Sequence, residues 1–362
     1  MIKILHINKA FSIVGGVEKY VKDLINNKSK NIEQIDVIAI SNNRKKHVFY
    51  SKGGKVIEYP LLFEFSSARI SLSFFFHFFR IARHYDILHF HYPNPIGEMS
   101  FVLFHRLLTK QKKIVTYHND IVKEKPFSKQ YSFVAKIFFK KMDKIIITSP
   151  NVYKKSEVLK GLYHKIIFIP LGINLDHNFT LKYKKKNKQK KILFVGRLAP
   201  GKGIEYLINA SKNLDYIVNI VGDGPLKKTL ALQIKTENIK NIKLLGYVAN
   251  NHLESIQKET DLFILPSINR SEGFGYVLLE AMQYGCALLT TELGTGTSYV
   301  NKNEHTGIVV NPKDTLGLKK AINTILKNEK RLNKYQNNSL QRIKKFSLIN
   351  MINDISESYQ NL

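Results

Sequence analysis

The stretch Lys191-Ile192-Leu193-Phe194-Val195-Gly196-Arg197-Leu198-Ala199-Pro200-Gly201-Lys202-Gly203 begins as an apolar run and ends as a basic loop rich in glycine. The run is typical of a buried parallel strand, and the pattern from Ile204 onward predicts a helix. Ligands of open α/β sheets bind beside the carboxyl ends of the strands, where Arg197 and Lys202 follow. A guanidinium and an ammonium group there suit a pyrophosphate, although a solvated basic loop would have the same composition.

A second stretch, Ser271-Glu272-Gly273-Phe274-Gly275-Tyr276-Val277-Leu278-Leu279-Glu280, places two carboxylates around a glycine turn that opens a helix. Gly273 and Gly275 allow the backbone to approach a ligand closely, and the positive end of the helix favours an anion such as a diphosphate. We expect Glu280 about two turns into this helix, about 12 Å along it, so that the two carboxylates could bind hydroxyls of two sugars. An ordinary helix start with acid in its first turn is the alternative for this stretch alone.

Together the two stretches resemble the retaining glycosyltransferases of family 4, which have the two-domain GT-B fold and transfer a sugar from a nucleotide diphosphate. The resemblance is carried by Gly196-Arg197-Leu198 with Lys202-Gly203, and by Glu272 and Glu280 in the Glu-x7-Glu spacing. Further segments that match the family are Gly15-Gly16-Val17-Glu18, Thr116-Tyr117-His118-Asn119-Asp120, Val221-Gly222-Asp223-Gly224-Pro225 and Gly246-Tyr247-Val248.

The resemblance implies transfer with retention of configuration and without a covalent enzyme intermediate. Arg197 and Lys202 would neutralise charge on the leaving phosphate, and Glu272 would bind the donor hexose. The implied catalytic residues are His118, Arg197, Lys202 and Glu272. The implied donor-binding residues are Gly15, Gly16, Arg197, Lys202, Asp223, Tyr247, Val248, Glu272, Gly273, Phe274, Gly275 and Glu280.

Histidines lie at the ends of two predicted strands in the first half of the sequence. His118 follows the apolar run 114–117, where a neutral imidazole could bind a donor-sugar hydroxyl and stabilise an oxocarbenium-like transition state. His89 and His91 could suggest a metal pair, but their segment has no nearby carboxylate or third ligand, which favours an acceptor-lining loop. The residues expected to contact the acceptor are His91, Tyr92, Asn94, Asp120 and Lys123.

The expected donor is a GDP-sugar. Residues 293–301 and 118–123 are similar to a family branch that acts on GDP-mannose or GDP-rhamnose in bacterial surface polysaccharide synthesis. We therefore expect transfer of mannose or rhamnose to a growing, lipid-linked or oligosaccharide acceptor. A UDP-sugar-dependent transferase and a GT-B UDP-N-acetylglucosamine epimerase are the alternatives. The sequence has no Asp-x-Asp pair, so we expect no metal ion and no cofactor.

Strand-like runs alternate with helical stretches in both halves of the chain, which predicts two Rossmann-like, doubly wound parallel sheets; in the GT-B fold these face each other across a cleft. The expected divisions are an acceptor-binding domain at 1–180, a linker at 181–191 with seven lysines and no acid, and a donor-binding domain at 192–345. The resemblance implies that the last helix, within 346–362, packs back on the first domain.

The chain has a formal net charge of +29, of which residues 1–180 carry +16. Such a surface could bind nucleic acid or an anionic membrane. We find no nucleic-acid-binding motif, so we expect no nucleic-acid partner. The phenylalanine-rich segment 72–83, with Phe75, Phe78, Phe79 and Ala82 on one helical stripe and arginines nearby, is either a core helix or an interfacial membrane helix.

The sequence also bears on location and redox state. It has no twenty-residue apolar run, and residues 1–7 alternate like a strand instead of forming a signal peptide, so we expect a cytoplasmic protein attached peripherally to the inner face of the membrane. Cys286 is the only cysteine, and its apolar setting predicts a packed strand residue.

Overall fold

The computed structural model describes residues 2–13, 15–29, 31–65, 68–120, 128–175 and 189–362. The chain forms two compact units, residues 1–171 with 348–362, and residues 172–347. The strands are β1 (Ile2–Ile7), β2 (Ile32–Ser41), β3 (His47–Ser51), β4 (Gly54–Pro60), β5 (Phe63–Phe65), β6 (Ala68–Ile70), β7 (Ile87–Tyr92), β8 (Lys112–Tyr117), β9 (Lys144–Ile147), β10 (Ile166–Phe168), β11 (Lys191–Val195), β12 (Ile217–Val221), β13 (Ile242–Gly246), β14 (Leu262–Leu265), β15 (Ala287–Thr291) and β16 (Gly307–Val310). The α-helices are α1 (Gly16–Asn26), α2 (Leu72–Ala82), α3 (Pro95–Phe104), α4 (Ser128–Lys140), α5 (Pro150–Lys155), α6 (Ile204–Ser211), α7 (Lys227–Thr236), α8 (Asn250–Glu259), α9 (Tyr276–Gln283), α10 (Thr297–Val300), α11 (Thr315–Leu326), α12 (Glu329–Ile343) and α13 (Leu348–Gln360).

The first unit is built on a sheet with the strand order β10-β9-β8-β7-β1-β2-β4-β3. The strands are parallel except for β3, which pairs antiparallel with β4. The prediction of a doubly wound parallel sheet is confirmed for the other strands, and β3 adds an antiparallel edge strand that the sequence analysis did not include. The hairpin turns at Gly53 and Gly54, where a Cβ atom would lie 1.7 Å from the Ile25 oxygen and 1.5 Å from the Ile35 oxygen, so that only glycine fits.

The two faces of the first sheet differ in chemistry because side chains alternate along each strand. One face is a large apolar cluster that includes Leu5, Phe90 and Val115 together with Phe74 and Phe78 of α2. Phe74, Phe78 and Ala82 are completely buried, and Phe75 and Phe79 pack half-buried against the same cluster, so α2 is a core helix. The predicted stripe was correct but lacked Phe74. Arg69, one of the arginines near this segment, is also buried.

The second unit is built on a sheet with the order β13-β12-β11-β14-β15-β16 in which every strand pair is parallel. The prediction of a doubly wound parallel sheet is confirmed here. Cys286 is buried just before β15, and its thiol faces the carbonyl oxygens of Gln257 and Thr260 at 3.6 and 3.5 Å, which confirms its structural role. Of the lysine-rich run, residues 181–188 lie outside the described residues.

The C-terminal helix α13 belongs to the first unit, where the hydroxyl of Tyr359 lies 2.6 Å from Nδ1 of His89. Among the described helices, none combines the length and the apolar character needed to cross a membrane.

Candidate active site

Strand order in the second unit places the two predicted ligand-binding loops side by side. The chain winds from β11 outward to β13 in one direction and from β14 outward to β16 in the other, so the winding direction changes between β11 and β14. These two strands are hydrogen-bonded neighbours. The loop with Arg197 and Lys202 follows β11, and the loop with Glu272 follows β14. Both loops therefore lie at the switch point where open α/β sheets bind their ligands.

Lys202 and Glu272 form an ion pair across this switch point. The Lys202 Nζ atom lies 2.6 Å from Glu272 Oε2, and the hydroxyl of Ser267 donates to the same oxygen at 3.1 Å. The Glu272 side chain is 12% exposed and that of Lys202 is 30% exposed, so the pair is reached by solvent mainly through the lysine. Ser267 was not predicted; its position just after β14 was the available clue.

Arg197 is the exposed cation of the site. Within the described residues, no hydrogen bond or ion pair engages its guanidinium group, whereas its backbone oxygen accepts from the Ala199 amide at 2.9 Å. A guanidinium without a carboxylate partner is ready to bind an anion bidentately.

Close backbone contacts explain two of the glycines around this loop. Gly222 has φ 138°, and a Cβ atom there would lie 1.9 Å from the oxygen of Gly196. Gly203 has φ 67°, and a Cβ atom would lie 2.0 Å from the Pro266 oxygen. The loops after β11, β12 and β14 are therefore packed backbone against backbone, which brings their amides to one edge of the sheet.

The loop after β15 also joins the glycine turn before α9. The amide of Gly296 donates to the Gly273 oxygen at 2.6 Å, and Arg270 Nη1 donates to the carbonyl oxygens of Leu293 and Gly294, each at 3.0 Å. Arg270 was also missed by the sequence analysis. Phe274 beside this turn is 3% exposed and packs against the ring of Phe346. Its side chain therefore supports the loop.

The position of Glu280 differs from the sequence expectation. Helix α9 begins only at Tyr276, because Gly275 adopts φ 82° at the N-cap. Glu272 thus lies in the loop before the helix, and Glu280 lies about one turn into it, instead of two.

The other predicted donor residues of this unit follow β12 and β13. Asp223 pairs with Lys227 at 2.6 Å, and this hydrogen bond lowers the pKa of the exposed Asp223 carboxyl. Tyr247 is 79% exposed, and Val248 next to it is half-buried. The large exposed ring of Tyr247 is therefore available for stacking on a flat ligand.

In the first unit, His118 is 6% exposed and lies beside His91, with His118 Nε2 3.1 Å from His91 Nδ1. The edge of the Tyr20 ring packs on His118 with 5.1 Å between ring centroids. Burial lowers the pKa of His118 to about 3, so the imidazole is neutral at physiological pH.

The predicted glycine loop leads into α1. Gly15 is the N-cap residue, and the Glu18 carboxylate folds back to within 2.2 Å of the place where a Gly15 Cβ would lie. Gly16 begins the helix. A carboxylate therefore already lies at the positive end of α1, which weakens this helix end as a phosphate site.

The predicted acceptor residues differ in accessibility. His91, Tyr92 and Asn94 are 1%, 3% and 3% exposed, and Tyr92 stacks on Tyr117 inside the apolar cluster. Asp120 accepts a hydrogen bond from the Tyr117 hydroxyl. Lys123 lies outside the described residues.

The argument that His89 and His91 lack a third ligand was wrong. His6 on β1 is the direct neighbour of His89 on β7, and ligand atoms of these three buried histidines lie within 4.8 Å of one another. The sequence separation hid this group, because only the pairing of β1 with β7 brings the residues together.

The architecture is that of the GT-B glycosyltransferases. A sucrose-phosphate synthase from Thermosynechococcus elongatus aligns over 100% of this chain and 99% of its own with a TM-score of 0.79 and 18% sequence identity. This likeness concerns the fold.

Sequence relationships define the family. The family described as Glycosyltransferase Family 4 matches residues 14–177, and Glycosyl transferases group 1 matches residues 178–342. O-antigen chain mannosyltransferase C from Escherichia coli is 29% identical over 368 residues, covering 99% of this chain and 97% of that protein. D-rhamnosyltransferase WbpZ from Pseudomonas aeruginosa is 30% identical over 328 residues, covering 88% and 85%. The chain belongs to glycosyltransferase family 4 and is a glycosyltransferase.

Proposed function

We propose that this protein transfers mannose or rhamnose from a GDP-sugar, with retention of configuration, to a growing lipid-linked glycan of the bacterial surface. The observation that carries the proposal is the ion pair of Lys202 with Glu272 at the switch point, beside the exposed Arg197. The choice of sugar is supported by the mannosyl- and rhamnosyltransferases named among the relatives.

The donor diphosphate would bind where positive charge is concentrated. Arg197 and Lys202 supply two cations, and the amides at the start of α9 supply further donors with the positive end of the helix dipole. When the diphosphate binds, Lys202 would exchange the Glu272 carboxylate for a phosphate oxygen. Glu272 would then accept hydrogen bonds from the hexose, and Glu280 from the ribose.

The proposed chemistry needs no covalent nucleophile from the enzyme. The acceptor hydroxyl attacks the anomeric carbon from the face on which the diphosphate departs, and Arg197 with Lys202 stabilises the charge on the departing phosphate. His118, neutral and buried, would hydrogen-bond a donor-sugar hydroxyl. Since the two cations and the helix end already supply positive charge, we propose that transfer needs no divalent metal ion.

A donor panel tests this function. The full chain is mixed separately with GDP-mannose, GDP-rhamnose, UDP-glucose and UDP-N-acetylglucosamine, and the melting temperature is measured for each, because a ligand of the folded state stabilises it. Transfer to a lipid-linked acceptor is then assayed with the stabilising donor, with and without EDTA, and the anomeric configuration of the product is determined by NMR. Selective stabilisation and turnover with a GDP-sugar are expected.

Each other result identifies a different function. Turnover of UDP-N-acetylglucosamine without acceptor identifies an epimerase, and transfer only from a UDP-sugar corrects the nucleotide. Inversion of the anomeric centre, or loss of transfer with EDTA, contradicts the proposed mechanism.

We also propose that the protein works at the cytoplasmic face of an anionic membrane. In the first unit, α2 packs against α3 and α3 against α4. Large apolar side chains on these helices and the turn after α3 are exposed: Phe76, Met99, Leu103, Leu107 and Phe133. Exposed basic side chains on the same helices and the turn are Arg80, Arg106, Lys136 and Lys140. Apolar side chains beside cations suit a surface of acidic lipid headgroups.

A further inference from the structure

A row of histidines lies on the face of the first sheet opposite the apolar cluster. His6 lies on β1, His89 and His91 lie on β7, and His118 follows β8, where its amide donates to the Tyr92 oxygen at 3.1 Å. All four histidine side chains are between 0% and 6% exposed. Because side chains alternate along a strand, the row lies opposite the apolar cluster that fills the other face.

Three of these histidines form a hydrogen-bonded chain. His6 Nδ1 lies 2.8 Å from His91 Nε2, and His91 Nδ1 lies 3.1 Å from His118 Nε2. Burial lowers the pKa of His6 and of His118 to about 3, and that of His91 well below 6.5, so all three rings are neutral. A neutral imidazole carries one N–H and one acceptor nitrogen, so both hydrogen bonds must run in the same direction along the chain.

His6, the first histidine of the hydrogen-bonded chain, sets that direction. Within the described part of the chain, His6 Nε2 is buried and has no hydrogen-bond partner. If the bonds ran from His118 towards His6, Nε2 would carry a buried N–H without an acceptor, which proteins avoid more strictly than an unpaired acceptor. The bonds therefore run from His6 through His91 to His118.

The tautomer of His118, at the other end of the hydrogen-bonded chain, is then determined. His118 accepts the hydrogen bond at Nε2 and carries its own proton on Nδ1. Within the described residues, no hydrogen bond engages Nδ1 of His118.

A metal ion fits this cluster less well than the hydrogen-bonded chain does. Both nitrogens of His89 are bonded, Nδ1 to the Tyr359 hydroxyl at 2.6 Å and Nε2 to the Thr116 hydroxyl at 2.8 Å. Both nitrogens of His91 are used within the chain. The rings of His6 and His91 are nearly parallel, with an interplanar angle of 13° and 5.1 Å between their centroids, as expected of two rings joined edge to edge by the 2.8 Å hydrogen bond between them. Metal binding would break several of these bonds.

We propose that His6 and His91 are positioning residues that hold His118 in its Nδ1–H tautomer, so that His118 presents a hydrogen-bond donor to a hydroxyl oxygen of the sugar substrate. The proposal rests on the proposed function, in which His118 contacts the donor sugar. No proton is transferred along the chain; His6 and His91 determine which nitrogen of His118 carries it. Neither residue needs to touch the substrate.

The tautomer is measured directly in the full chain. Protein labelled with ¹⁵N in the histidine rings is studied by long-range ¹H–¹⁵N NMR, and the His118 signals are assigned from their loss in His118→Gln. We expect the proton of wild-type His118 on Nδ1. A proton on Nε2 overturns the proposal. The NMR measurement requires no transferase activity, so it separates failure of this proposal from failure of the proposed function.

Variants of His6 test the coupling. His6→Phe removes the first donor, so we expect mixed His118 tautomers and a kcat about 10-fold lower with KM unchanged. His6→Asn keeps an amide donor near the place of Nδ1 and should restore the tautomer. His77→Phe is the matched control, because it alters a half-buried histidine that is not part of the hydrogen-bonded chain.

Three results would overturn the coupling. The first is that His118 in His6→Phe keeps the tautomer of the wild type. The second is that His118 shows mixed tautomers in His6→Asn as well as in His6→Phe. The third is a stoichiometric metal ion that copurifies with the wild type and is lost in His6→Phe. If His6→Phe does not fold, the wild-type tautomer and His6→Asn still decide the question.

Discussion

Lys202 Nζ lies 2.6 Å from Glu272 Oε2, although 70 residues separate the two in sequence. The contact joins the loop after β11 to the loop after β14. The ammonium group is therefore paired with a carboxylate, and a diphosphate bound as proposed would compete with that carboxylate for it. In the proposed function, binding of the donor would therefore be coupled to the release of Glu272, the group proposed to hold the hexose.

Glu272→Gln separates these two roles. The amide cannot neutralise Lys202, so we expect free GDP to bind about 3-fold more tightly, since each 1.4 kcal/mol corresponds to about tenfold in affinity. Transfer should fall about 100-fold in kcat/KM because the hexose loses a charged acceptor. Isothermal titration with GDP and steady-state kinetics measure the two effects. The pair is partly exposed, so the change in unfolding free energy should stay within about 1 kcal/mol.

A parallel loss of GDP affinity and of transfer in Glu272→Gln would contradict this division of roles. Lys202→Met provides the comparison, because it removes the cation and should weaken both GDP binding and transfer.

Arg197→Ala tests the phosphate assignment. Because Arg197 is exposed and no described group pairs with its side chain, its removal should leave the fold and the melting temperature unchanged. We expect a loss of about 100-fold or more in kcat, since the charge on the departing diphosphate loses a preorganised partner. Arg44→Ala, an exposed arginine in the first unit, is the control and should keep full activity. Transfer at the parent rate by correctly folded Arg197→Ala would refute the assignment.

Phe76→Ser combined with Leu107→Ser tests the membrane surface. These side chains are 66% and 63% exposed, so the change should not disturb the core. We expect binding to vesicles of anionic phospholipid to fall at least about 10-fold, because each buried apolar side chain contributes about 1.5–3 kcal/mol. Cosedimentation with vesicles measures the effect. Leu232→Ser, which alters a side chain 62% exposed in the second unit, should bind like the parent.

Equal vesicle binding by the double variant and the parent would contradict a contact through these helices. Binding to vesicles of zwitterionic lipid that matches binding to anionic vesicles would contradict the role of the basic residues.

Local patterns predicted much of the second unit, because its central strands, such as β14 and β15, are short apolar runs buried on both faces. The glycine turns after them were also visible, since a positive φ such as that of Gly203 favours glycine. The pairing of Lys202 with Glu272 was not visible, because it depends on β11 lying next to β14. The start of α9 was misplaced because Gly275 could equally have lain inside the helix.

The first unit was predicted less completely. Strand β3 is short and largely exposed, so the sequence of His47–Ser51 lacks the apolar pattern of a core strand. On α2, phenylalanines stand at five of six consecutive positions, so the pattern did not separate the buried Phe74 from the exposed Phe76. His6 gave no sign of its role because a single histidine in an alternating strand has many uses, and only the sheet order brings it to His91.

The buried histidines should make folding sensitive to mild acid. His6 and His118 have a pKa of about 3 in the folded chain because burial disfavours their charged form, and about 6.5 when unfolded. His89 and His91 shift in the same direction for the same reason. Below pH 6.5 the unfolded chain therefore binds more protons than the folded chain, and the unfolding free energy falls as the pH falls.

Two buried carboxyls, Glu18 and Glu98, oppose this trend, because burial raises the pKa of each. Burial raises the pKa of Glu98 to about 7, above its ordinary value of 4.5, although hydrogen bonds from Tyr131 and the Asn94 amide partly offset the rise. Between pH 7 and 4.5 the folded chain holds the extra proton, so Glu98 alone raises the unfolding free energy as the pH falls. Each group contributes up to about 1.4 kcal/mol per pH unit, so four histidines should outweigh the two buried glutamates between pH 6.5 and 5.5.

Melting temperatures measured from pH 7.5 to 5.5 check this balance. We expect the wild type to lose stability steadily below pH 6.5, with a shallower loss in His6→Phe, which removes one of the four groups. Glu98→Gln should lose stability more steeply than the parent, because one of the opposing groups is gone while an amide oxygen still accepts from the Asn94 amide. A flat profile in the wild type, or identical slopes in all three proteins, would show that these side chains are not buried in their neutral forms.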